Sequence, residues 1–222
     1  MIQPSTLTFL KKLSRNNIKE WFDNHRAEYD AVKNNFELVV QEVVDRHSKV
    51  DPDLIGQEAK KCIFRINRDV RFSKDKTPYK TNLGASMSRG GKKSVFADYY
   101  MHIEPGKSFL GGGMWMPEAG DLKKVRQEID YCWDEFKQII NAAAFKKHYG
   151  TLYRSDGVEM TRVPRGFEKD NPAASFLKLK HIIGIHEVED AVVTSPAFVN
   201  KVLTAYKALM PMLKFFNRAL ED

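Results

Sequence analysis

The hydrophobic residues change period twice along the chain, and that order of periods constrains the fold more than any other feature. Leu7, Leu10 and Leu13 lie on one face of a short helix. Asn17 is placed to cap a second turn carrying Ile18, Trp21 and Phe22. Tyr29, Val32, Phe36, Val39, Val40 and Val43 then recur at three and four, the spacing of a buried helical stripe. After the turn residues DPDLIG the period drops to two. Cys62, Phe64 and Ile66 alternate with Ile63, Arg65 and Asn67. Leu83, Ala85 and Met87 alternate with Gly84, Ser86 and Ser88, and Tyr99, Met101 and Ile103 with Tyr100, His102 and Glu104. A PGK turn leads into SFLGGGMWMP, so these read as neighbouring antiparallel strands.

Helical spacing returns over residues 119–147, through Leu122, Val125, Ile129, Cys132, Phe136, Ile139 and Ala143. Residues 150–170 are rich in turn formers, around SDG and VPRGF. Residues 173–179 fit one or two helical turns, and HIIGIHEV fits a short strand. A last helix spans residues 195–220, with Phe198, Val202, Tyr206, Leu209, Leu213 and Phe216 inward and Pro211 expected to bend or break it. Helices that bracket strands, rather than alternating with them, predict an α+β fold. The expectation is a mainly antiparallel central sheet flanked by N-terminal, middle and C-terminal helices, in a single domain over residues 1–222.

No apolar run reaches the roughly 20 residues of a membrane span. The opening MIQPSTLTFLKKL lacks the basic segment before an apolar stretch that marks a secretion signal. Cys62 and Cys132 read as reduced core thiols. A cytoplasmic protein with no membrane partner is expected.

Charge is concentrated in one place. The chain carries a net +7. Residues 60–93 hold eleven Lys and Arg against Asp69 and Asp75, a net of +9, which leaves −2 for everything else. At the centre lies FRINRDVRFSKDKTPYK, residues 64–80. Pro78 and the density of charge make it an ordered loop rather than a regular element. Its guanidinium groups, Arg65, Arg68 and Arg71, offer forked donors that fit phosphate or carboxylate. Lys74, Lys76 and Lys80 add charge, and Asp69 is placed to orient an arginine. Phe72 and Tyr79 supply flat faces suited to nucleobase stacking. The same pattern fits arginine–aspartate pairs that staple a long loop to the sheet.

Other chemistry is thinner. Known phosphate loops fail: Gly91-Lys92 has Ser86 where a P-loop needs glycine and Lys93 where it needs Ser or Thr. There is no HExxH or CxxC, and no metal or cofactor is expected. His102 and Glu104, on one face of their strand, and Tyr79 are the candidates for proton transfer. The glycines at 111–113 mark either a binding floor beside Met114, Trp115 and Met116 or a place where a helix or aromatic ring packs over them. Arg162, Arg165, Lys178 and Lys180 form a second basic stretch around Pro164, or a rigid loop.

Four stretches, NNIKEWFDNHRAEYD, FRINRDVRFSKDKTPYKTN, FLGGGMWMPEAGDLKKVRQEID and VPRGFEKDNPAASFLKLK, together resemble a mainly bacterial family of uncharacterised, conserved hypothetical proteins. The RxNRDxRFSxDKxPYK block is the most distinctive part. The resemblance spans about residues 5–220 and implies no activity. Many relatives carry His where this chain has Asn171, so the resemblance supplies no catalytic histidine at that position.

The leading expectation is a protein that binds an anionic ligand, phosphate-containing and foremost a nucleotide or nucleic acid, through residues 64–80. Two alternatives stay open. One is an enzyme acting on a phosphorylated or acidic substrate, with His102, Glu104 or Tyr79 moving protons. The other is a basic module that docks an acidic protein surface.

Overall fold

A computed structural model describes residues 1–155 and 157–221. The predicted SDG turn includes Asp156, which with Asp222 lies outside the described residues. The three N-terminal stripes form three helices. α1 (Pro4–Arg15) begins on a proline, whose missing N–H is harmless in a first turn, and buries Leu7, Leu10 and Leu13. α2 (Lys19–Asn24) is short and buries Phe22. α3 (Arg26–His47) buries Val32, Phe36, Val39, Val40 and Val43 along one side, as the spacing predicts. Asn17 is not the cap of α2. That position belongs to Ile18, whose side chain has no hydrogen-bonding group, and both ends of the Asn17 amide are engaged elsewhere.

The alternating residues 62–67 form no regular strand: Cys62 closes α4 (Ala59–Cys62), a single turn. Ala-Lys-Lys favours helix, and an alternation this short does not override it. Beyond it the chain makes only single antiparallel bridges, Ile63 with Ala85 and Asn67 with Tyr79. The sheet itself is four-stranded and antiparallel: β1 (Leu83–Met87), β2 (Asp98–Ile103), β3 (Phe109–Met114) and β4 (Ile182–Glu187), in the order β1-β2-β3-β4. Along β2 burial alternates, with Tyr99, Met101 and Ile103 in the core and Tyr100 and His102 half-buried on the other face. β1 is buried on both faces; at Gly84 a Cβ would stand 2.5 Å from the Tyr100 hydroxyl, so glycine is what lets that ring lie against β1.

The middle helix is three helices: α5 (Ala119–Tyr131), α6 (Trp133–Asn141) and α7 (Ala143–Tyr149). The breaks fall at Cys132, at φ −112°, ψ 39°, and at Ala142, whose ψ of 139° is extended. Cys132 is half-buried rather than a core thiol, whereas Cys62 is buried. α8 (Ala174–Leu177) and α9 (Asp190–Val193) are single turns. α10 (Phe198–Ala219) runs on through Pro211 without a break. The fold is therefore α+β, as the order of periods predicts.

Two compact units make up the chain. One comprises residues 1–87, 100–110 and 187–204, and the other residues 88–99, 111–186 and 205–222. All of loop 64–80, together with His102 and Glu104, belongs to the first. Among the described residues no helix is long and apolar enough to cross a membrane.

Candidate functional site: a basic loop and a polar recess

Loop 64–80 is held from both ends. Its stem is a short antiparallel pairing: Lys80 N–H donates to Ile66 O at 2.8 Å, Arg68 N–H to Pro78 O at 2.9 Å, and Phe64 N–H to Gly84 O at 2.9 Å. Tyr79 anchors the base. Only 6% of it is exposed, and its ring stacks on Phe22 at 4.0 Å. Its backbone is clamped by Asn17, which accepts from Tyr79 N–H at 3.0 Å and donates to Tyr79 O at 2.9 Å. The amide thus imitates a neighbouring strand. This geometry makes Tyr79 a packing residue rather than a proton donor to solvent.

Arg68 closes the tip. Its guanidinium donates to Thr77 O at 3.1 Å, to Thr77 Oγ1 and to the Asp75 carboxylate, and 25% of the side chain is exposed. Asp75 also accepts from Thr77 N–H at 2.9 Å and Thr77 Oγ1 at 3.0 Å. The Thr77 backbone donor first, then Arg68, hold its carboxyl down at about 2. Asp69 pairs with Arg71 through two bonds, at 3.0 and 2.7 Å; that pair lowers the Asp69 carboxyl and raises the guanidinium. Lys76 Nζ donates to Val70 O at 2.9 Å. Both aspartates are therefore consumed inside the loop.

What remains faces outward. Arg65 and Lys74 are exposed and make no hydrogen bond or ion pair among the described residues. Arg71 is 76% exposed despite its pairing. Lys80 Nζ lies 5.3 Å from the centre of the Phe64 ring. Phe72 is 94% exposed, with the Arg71 guanidinium 5.7 Å from its ring centre. Of the eight expected binding residues, Arg68, Asp69 and Tyr79 hold the loop, Lys76 is tied to its backbone and Lys80 is half-buried over Phe64, while Arg65, Arg71 and Lys74 are exposed.

A second cluster lies along β2. His102 Nε2 is 3.1 Å from Glu104 Oε2, and Asn82 Nδ2 is 2.9 Å from His102 Nδ1. The tautomer that satisfies both contacts carries its proton on Nε2, donating to Glu104 and accepting from Asn82. The ring stacks on Phe109 at 4.6 Å, and 12% of the side chain is exposed. Burial pushes the imidazole below its ordinary value, and Glu104 partly offsets this. With both nitrogens engaged, His102 orients Glu104 rather than serving as a base to an outside molecule. Thr81 Oγ1 donates to the other carboxylate oxygen at 3.2 Å.

Glu104 opens onto a recess of about 210 Å³ lined by Leu10, Lys11, Ser14, Arg15, Thr81 and Pro105. Lys11, Ser14 and Arg15 share one face of α1 by their spacing of three and four. Lys11 Nζ is 3.8 Å from Asp190, which also accepts from Gly106 N–H at 2.9 Å and so fixes the β2–β3 turn. Sequence reasoning finds His102 and Glu104 but not Lys11, Ser14, Arg15, Thr81 or Asn82. The only signal for the first three is KKLSR, which reads equally well as the solvated side of an amphipathic helix.

The second unit holds the remaining candidates. At Gly111, Gly112 and Gly113 an added Cβ would collide with the carbonyls of Gly184, Asp98 and Ile182. The glycines therefore serve close strand approach. Asn171 donates to Asp130 and accepts from Ala173 N–H at 2.8 Å, a turn-forming role. Arg162 and Arg165 are exposed, and Lys180 donates to Gly157 O at 2.8 Å. His181 stacks on Trp115 at 4.5 Å and accepts from Met116 N–H at 3.0 Å. Among the described residues no group of three or more His, Cys, Asp or Glu is placed to hold a metal ion.

The chain belongs to the family described as conserved hypothetical protein (DUF2461), whose profile matches residues 5–215. The family is one of unknown function. No curated protein and no solved structure matches the chain.

Proposed function

We propose that the first unit binds single-stranded nucleic acid through the outward side of loop 64–80. The observation that carries this is Phe72, 94% exposed at the tip of a loop that Arg68 holds in shape. Leaving a phenylalanine in water forgoes about 1.5–3 kcal/mol of burial. Stacking a base on an aromatic ring recovers about 1–3 kcal/mol and needs no particular sequence. The Arg71 guanidinium stands against the Phe72 ring, and the exposed Arg65 and Lys74 and the Lys80–Phe64 pair lie on the same loop. Cations interleaved with open aromatic faces are the combination that a flexible phosphate-linked strand requires. A mononucleotide has one base and one cluster of phosphates and would engage only part of this surface.

The test is fluorescence anisotropy with a labelled single-stranded oligonucleotide, its duplex and a labelled mononucleotide, across a range of salt. The single strand is expected to bind best, with log affinity falling linearly in log salt as counterions are released. Absence of single-strand binding at low salt, or equal binding of the duplex, overturns the proposal.

A further inference from the structure

The recess beside α1 is a separate site, and its lining carries both signs of charge. Arg15 is exposed at the last turn of α1 and makes no hydrogen bond or ion pair among the described residues. Lys11 stands one turn earlier. Glu104 lines the same recess. Its carboxylate is fixed rather than floppy, because Thr81 holds one oxygen at 3.2 Å and His102 the other at 3.1 Å. His102 is in turn fixed by Asn82 and by stacking on Phe109. Ser108 ties down the backbone of the same residue, accepting from Glu104 N–H at 3.1 Å and donating to Glu104 O at 2.9 Å.

A carboxylate held in place disfavours phosphate or any simple anion, since like charges repel. It equally favours a cationic donor on the ligand, because each of its oxygens retains a lone pair for one more hydrogen bond. Arg15 offers a fork for a carboxylate. Leu10 and Pro105 supply apolar wall, and about 210 Å³ accommodates a small molecule rather than a polymer. We infer that this recess binds a free α-amino acid, its carboxylate on Arg15 with Lys11 beside it and its ammonium on Glu104. Thr81, in the wall of the recess, and His102, behind Glu104, hold the carboxylate in position.

Isothermal titration of the full chain with L-alanine, L-serine and L-threonine tests this. Each is run beside its amide, which lacks the carboxylate, its N-acetyl derivative, which lacks the ammonium, and inorganic phosphate. At least one free amino acid is expected to bind, and neither derivative nor phosphate. Arg15→Gln and Glu104→Gln should each weaken that binding about tenfold or more, the scale of one charge-assisted hydrogen bond. Glu104→Gln should in addition let the N-acetyl derivative bind, because the repelling charge is gone. Arg15 is on the surface, so its variant folds and decides the matter even where Glu104→Gln does not. No binding of the three amino acids, equal binding of a derivative, phosphate binding in their place, or binding indifferent to Arg15→Gln each overturns the assignment.

Discussion

In loop 64–80 two of the three arginines find their partners two to nine residues away, Arg71 on Asp69 and Arg68 on Asp75 and Thr77. In the recess the charges meet across the fold: Lys11 of α1 faces Asp190 of α9, and Glu104 after β2 is held by Thr81 before β1 as well as by its near neighbour His102. The first region neutralises its acids within itself and turns its surplus cations outward. The second uses the fold to set opposite charges around one small space. Charge surplus suits a long anion, whereas charge separation suits a zwitterion.

The comparison breaks most visibly at Arg68. Arg68→Ala removes the bonds to Thr77 and leaves Asp75 with no cation, so unfolding in urea should show a loss of about 2 kcal/mol. Oligonucleotide binding should fall with it. If stability is unchanged, Arg68 is not the residue that shapes the loop. Phe72→Ala makes the opposite cut. A residue 94% exposed should leave the melting temperature alone, while single-strand affinity drops about tenfold, within the range of one lost base stack. A fall in melting temperature without a change in affinity would contradict this.

Acid separates the two regions next. Asp75 is held at about 2, below its ordinary value, so the loop's share of stability is present above the ordinary carboxylate range and is lost as pH falls toward 2. Hydrogen exchange of the loop amides, compared with an Asp75→Asn variant, should show that loss only in the wild type. For His102 the shift is downward from the ordinary histidine value, so the unfolded chain binds the proton more readily. Stability around β2 should then rise with pH through the window just below 6.5, and His102→Gln should flatten that rise. Smallest is the effect of Lys74→Gln alone: no change in melting temperature and a salt slope shallower by about 0.7 on a single strand.

The sequence made the helical stripes of α1, α3 and α10 legible, because each repeats its apolar residues over several turns. It failed at Cys62, where an alternation of six residues follows directly on good helix formers, and at Cys132 and Ala142, where apolar spacing continues across two backbone breaks. In the loop, sequence alone identified every cation but not its use. Whether an arginine is stapled depends on the tight turn that brings Asp75 and Thr77 round to Arg68, and composition does not encode that turn. The recess was half legible. His102 and Glu104 share a strand face, so period two pairs them. Arg15 and Asn82 reach the site through tertiary packing, and nothing in their neighbourhoods marks them.

The most direct measurement is the salt dependence of single-strand affinity for the wild type and for Arg65→Gln/Lys74→Gln. These are the exposed cations of the loop without hydrogen bond or ion pair among the described residues. If they meet phosphates, the double variant keeps its melting temperature and loses slope, by about 0.7 for each phosphate contact on a single strand. Equal slopes for the two proteins would contradict the account and return loop 64–80 to a purely structural role.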